Sequence, residues 1–153
     1  MMLLFKVIGL IMVIAAASLC GNNMALRLCK RAEALKQAAQ LCAEMGEKIR
    51  FFATPVEQII KELSCKYERL IFLQDYPVIT PRHPFTKEDS KVIKDFFSGL
   101  GAGDVCGQLK YCEAYALQLE RIADDAKSEC DSKNRLYRVL GFFCGICIAV
   151  ILI

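Results

Sequence analysis

At 153 residues the chain has room for one domain rather than two, and a net charge of +3 with no basic stripe interleaved by aromatics argues against nucleic-acid binding. Hydrophobic residues make up 55%, above the roughly 45–50% of soluble chains. The excess is concentrated in Met1 to Cys20 and Val139 to Ile153, while the stretch between reads as an ordinary charge-rich helical protein.

Residues 7–20 are uncharged, and Met1 to Phe5 extend the run with only Lys6 interrupting. About twenty residues of helix span roughly 30 Å, enough for a bilayer core, so residues 1–21 are predicted to form an N-terminal transmembrane helix. A removable signal peptide is the competing reading, because Ala15 to Ser18 offer a small-residue cleavage region.

Residues 22–134 are predicted to form a helical domain. From Met24 to Phe52, Leu28, Ala32, Leu35, Ala39, Cys42, Gly46 and Ile49 recur by four and three, widened by Leu41 and Met45. Thr54-Pro55-Val56-Glu57 predicts a second helix, with Thr54 as cap, Pro55 in the first helical position and Glu57 closing a capping box. Another short helix is expected over Tyr67 to Asp75, followed by a loop marked by Pro77, Pro81 and Pro84. Thr86-Lys87-Glu88-Asp89 reads as a capped start for a helix bearing Val92, Ile93, Phe96 and Phe97. Ser98 to Gly103 is a turn, after which Asp104 caps the last helix. There Val105, Leu109, Cys112, Ala116, Leu119, Ala123, Ala126 and Cys130 keep a strict four-three spacing. No proline interrupts this helix, so it is predicted to continue into the membrane and to pack its small residues against the first long helix.

The final apolar run is fifteen residues long, about 22 Å of helix. Leu136 and Tyr137 lengthen it and Arg135 and Arg138 snorkel, giving a C-terminal transmembrane helix over residues 135–153. Gly141, Gly145 and Ala149 recur every fourth residue, a candidate helix-packing face. Basic residues follow the first span (Arg27, Lys30, Arg31, Lys36) and precede the second (Lys127, Lys133, Arg135, Arg138). Such residues stay cytoplasmic, which places the central domain in the cytosol and both termini outside.

Nine cysteines is an odd number, and most fall at core-like helical positions. Free thiols in a reducing compartment are therefore expected. The sole histidine, His83, lies between prolines, far from the Cys144–Cys147 pair, so neither a structural metal site nor a cysteine–histidine catalytic pair is indicated. No Lys-Ser or Lys-Thr follows the glycines of Ser98 to Gly103, as a nucleotide loop requires. The chain is read as non-enzymatic, with no catalytic residue, cofactor or metal.

Taken together, LKQAAQLCAEMGEKIRFFATPVEQII, LGAGDVCGQL and KNRLYRVLGFFCGICIAVILI resemble the stage III sporulation protein AB family. Leu35, Leu41, Ile49, Thr54 and Pro55 sit as that pattern places them. Leu100, Gly101, Asp104 and Gln108 match its turn into the last helix, and Lys133, Tyr137, Leu140, Gly141 and Gly145 its membrane entry. The chain departs from the family in a shorter stretch between Leu63 and Phe96, in lacking tryptophan and in its cysteine content.

The resemblance implies an all-α helical bundle similar to the F-type platform domain of type II secretion and type IV pilus systems. It further implies a platform subunit of a sporulation channel in the mother-cell membrane around the forespore. The expected partners are a sporulation-specific hexameric ATPase and the other membrane subunits of the complex, with a second copy of the chain as a further candidate. Thr54, Pro55, Leu100, Gly101, Asp104 and Gln108 become candidate docking or hinge residues. The periodicities alone would also allow a membrane-anchored structural adaptor unrelated to sporulation, and removal of the first segment would leave an exported domain anchored at its C-terminus.

Overall fold

The computed structural model describes residues 2–52, 55–67, 69–101 and 103–152, with many side chains of the two apolar ends outside the description. Among the described residues the regular elements are helices: α1 (Met2–Phe52), α2 (Val56–Lys66), a 3-10 helix (Ile71–Asp75), α3 (Lys87–Gly99) and α4 (Val105–Leu152). The chain divides into two compact units, Met1–Lys30 with Ala126–Ile153, and Arg31–Asp125. Both boundaries fall inside the long helices. α1 runs through Gly21-Asn22-Asn23 without a break, since no proline removes a backbone donor and helical neighbours on either side maintain the hydrogen-bond ladder.

The unit Arg31–Asp125 owes its core to the predicted stripes. Leu35, Leu41, Cys42 and Met45 of α1 are fully buried, as are Ile59 and Leu63 of α2. Ile93 and Phe96 of α3 and Cys112 and Leu119 of α4 complete the layer. The small residues let α1 and α4 approach closely: a Cβ built on Gly46 would lie 3.2 Å from the Cβ of Cys112. Val105 departs from its stripe at 55% exposure, because it opens α4 and has no preceding turn to pack against.

Two helix starts differ in chemistry. At α3, Thr86 accepts from the Asp89 N–H at 3.2 Å while the Asp89 carboxylate accepts from the Thr86 N–H at 2.9 Å, so the capped start expected there is a reciprocal capping box. At α2 the expectation is corrected. Pro55 is the N-cap rather than the first helical residue, its ψ of 139° is extended, and among the described residues no side chain caps the helix. The carbonyl of Pro55 instead accepts from Gln58 and Ile59 at 3.0 and 3.2 Å. Thr54 lies outside the described residues. Among the described residues of Tyr67 to Asp75, Ile71–Asp75 form a 3-10 helix whose Phe72 and Leu73 are buried.

Asp89 does more than cap. It is 2% exposed, and its carboxylate takes two hydrogen bonds from the Arg31 guanidinium, at 2.8 Å from Nε and 3.1 Å from Nη2. Burial alone would push the carboxyl up. The Arg31 bonds and those from Thr86 outweigh it and hold Asp89 below the usual carboxylate range.

Replacing Arg31 with Met should therefore destabilise the fold by about 2–4 kcal/mol, somewhat under the cost of breaking a fully buried pair, because Arg31 keeps 21% of its side-chain surface in water. Since the folded carboxyl is depressed, its contribution is complete above the unfolded value near pH ~4 and is lost as pH falls through the lower folded value. Thermal unfolding between about pH 6 and 2 should show this acid-side loss, and Asp89→Asn should flatten it.

Candidate functional site

The turn from α3 into α4 is built from four of the candidate residues. Leu100 follows the helix in an extended conformation (φ −68°, ψ 135°). Gly101 and Gly103 then take φ of +84° and +119°, a region that L side chains enter only with strain, so the chain can reverse in so few residues. Asp104 accepts the Gly107 N–H on its carboxylate at 3.3 Å and the Gln108 N–H on its carbonyl at 2.9 Å, which starts α4. Gln108 folds back over the turn. Its side-chain oxygen accepts from Gly101 N–H at 3.3 Å, its amide nitrogen donates to the Gly99 carbonyl at 3.5 Å, and the residue is 7% exposed.

A residue not singled out in the sequence braces the same place. Tyr111 Oη donates to the carbonyls of Asp95 and Phe96 at 2.8 and 3.2 Å, satisfying the end of α3. Its ring lies nearly parallel to that of Phe96, at 5.9 Å between centroids. The signal available was the pair Tyr111 and Tyr115, one helical turn apart and facing the Phe96–Phe97 pair; Tyr115 also meets Phe96, at 5.5 Å. The turn is thus tied at both ends. Pro55 begins α2 elsewhere in the unit, where its carbonyl accepts from Gln58 and Ile59.

In the other unit α1 and α4 meet through backbone. A Cβ on Gly21 would stand 2.6 Å from the Tyr137 carbonyl oxygen and 3.3 Å from the Gly141 Cα. Gly145 and Ala149 belong to α4, and their side-chain surroundings lie outside the description. The same helix pair joins Cys29 to Cys130 in a disulfide with a Cα–Cα distance of 5.3 Å, which corrects the expectation of free thiols at these two positions. Their separation of 101 residues leaves no local trace of the pairing.

Of the remaining cysteines, Cys42 and Cys112 are buried and Cys65 and Cys106 are exposed. Burial, with Cys112 nearby, pushes the Cys42 thiol up, and burial raises Cys112 to about 11. Both stay neutral and behave as small apolar residues. No group of three or more metal-ligating side chains occurs among the described residues. Likewise, among the described residues no helix is long and apolar enough to cross a membrane. Much of the predicted spans 1–21 and 135–153 falls among the side chains outside the description.

These features define an all-helical protein whose long first and last helices pair in both units. The family model of Stage III sporulation protein AB matches residues 6–74 and 71–153. The chain belongs to that family and is a sporulation-related protein. No curated protein and no solved structure matches it.

The Gly21 contact has a measurable consequence. In the full-length chain under mild oxidation, Cys29 and Cys130 should form an intramolecular cross-link. Gly21→Val should slow that cross-link about tenfold or more, because a side chain cannot enter the space held by the Tyr137 backbone. Non-reducing gel mobility, with Cys130→Ser as reference, reads the result.

Proposed function

We propose that this chain is a non-enzymatic platform subunit of the sporulation channel, held in the mother-cell membrane around the forespore by helices at both ends. Its central domain docks a cytosolic hexameric ATPase to the other membrane subunits. Family membership supports the setting. The observation that carries the mechanical part is α4, a single helix that begins at the Gln108-braced turn and continues to Leu152 in the apolar terminal run.

In this reading the turn Leu100 to Gln108 is the docking or hinge point, and α4 transmits force from it toward the membrane. A helix loses a hydrogen bond and gains a clash when proline enters its interior, at about 3 kcal/mol or more. Ala123 is buried within α4. Ala123→Pro should abolish sporulation in an endospore-forming host while leaving membrane insertion intact. Normal sporulation with that variant would refute transmission through α4.

Orientation is tested with a membrane-impermeant maleimide on intact, mildly reduced cells. Cys65 and Cys106 are exposed and should be protected until lysis, whereas buried Cys42 and Cys112 should react only after denaturation. A second reading, an exported and C-terminally anchored domain, is favoured by the Cys29–Cys130 disulfide. Labelling of Cys65 and Cys106 in intact cells would select it and remove ATPase docking.

A further inference from the structure

The charges of the unit Arg31–Asp125 are unevenly satisfied. Ion pairs Lys48–Glu62, Lys66–Glu44 and Arg69–Glu33 lie where α1 meets α2 and the segment after it. Two other exposed charged areas have opposite sign. On α4, Glu113, Leu117 and Glu120 share one face at i, i+4 and i+7. Leu117 is 53% exposed, and Glu47 adds a further carboxylate from α1 across a groove of about 480 Å³, where Arg50 is the one cation. On α3, Lys87, Lys91 and Lys94 share a face with the same spacing. With Arg82 they border a hollow of about 490 Å³ lined by Pro81 and Phe85, where Asp95 is the one carboxylate.

We infer that these are the two halves of one contact between copies of this chain: the exposed Glu113–Leu117–Glu120 face of one copy packs over the lysine-bordered hollow of the next. Leu117 supplies the apolar group that the hollow receives, and the flanking carboxylates meet Lys91 and Lys94, whose aliphatic stems cover the apolar contact. A two-fold contact of groove with groove would instead set Glu113 and Glu120 against their own copies, which like-charge repulsion opposes. Because the two surfaces differ, the contact is head-to-tail, so it generates a ring or an open chain of subunits rather than a closed pair. It does not depend on ATPase docking, and its test leaves that reading untouched.

The test uses the full-length chain in non-ionic detergent and sedimentation velocity across protein concentration. The wild type should self-associate, and less so as salt rises from about 0.05 to 0.5 M. Glu113→Lys with Glu120→Lys, and separately Lys91→Glu with Lys94→Glu, should each raise the concentration needed for association by roughly tenfold or more. An equal mixture of the two variants should associate again, because each retains the half that the other has lost. Leu117→Gln should weaken association without any change of charge. All five positions are exposed, so circular dichroism melts should match the wild type. A monomeric wild type, unaffected variants, or a mixture that stays apart would overturn the contact. So would loss of binding to phosphatidylglycerol vesicles by the lysine variant with self-association intact, which would assign the hollow to a lipid surface.

Discussion

A carboxylate that is almost entirely withdrawn from water must be compensated, and Asp89 is compensated from two directions at once. Thr86 binds it as part of a helix cap, and Arg31 binds it from a helix 58 residues earlier. Start of α3 and placement of α3 on α1 are thereby the same event. Once α3 is anchored, Phe96 and Phe97 are positioned against Phe72 and the tyrosines of α4. Tyr111 can then reach back to the end of α3 and fix the turn that begins α4. Within the apolar core of the unit Arg31–Asp125, this ion pair thus fixes where α3 begins and which helix it meets.

The two units use different physics to pair the same two helices. Within Arg31–Asp125, α1 and α4 share a side-chain core, filled by Leu35, Leu41, Met45 and Leu119 and supplemented by the three shorter helices. Within the terminal unit there is no such third layer among the described residues; Gly21 admits the backbone of Tyr137 and Gly141, and Cys29 is joined to Cys130. Close backbone approach is the packing mode expected where the surroundings are as apolar as the side chains themselves. That correspondence supports, on physical grounds, the proposal that this end of the molecule lies at the membrane. The charged faces of α3 and α4 belong to the other unit.

How much of this was legible in the sequence depends on how local each interaction is. The reciprocal cap at Thr86 and Asp89 spans four residues and could be read directly, as could the stripes of α1 and α4, because a helix repeats every 3.6 residues whatever it packs against. The Asp104 turn was likewise visible, since positive-φ glycines and a capping carboxylate have local signatures. The first residue of α2 was misplaced by one position because proline's fixed φ suits both the cap and the first turn, and ψ at Pro55 decides between them. Val105 fell on the periodic stripe but lacked a neighbour to bury it.

Arg31 shows the limit most clearly. In the sequence it belongs to a basic cluster beside an apolar run and reports orientation; in the fold it is the partner of a buried acid. Helices throughout, two apolar ends, one unbroken last helix and a recognisable family pattern follow from local residue order, because periodicity, caps and turns are written within a few residues of one another. The folded packing is what brings Arg31 to Asp89 and Cys29 to Cys130, lets Tyr111 close the end of α3 and makes Gly21 yield to Tyr137. These contacts join residues far apart along the chain, and which of many chemically equivalent arginines, cysteines or glycines takes part is fixed only when the helices have chosen the faces they bury.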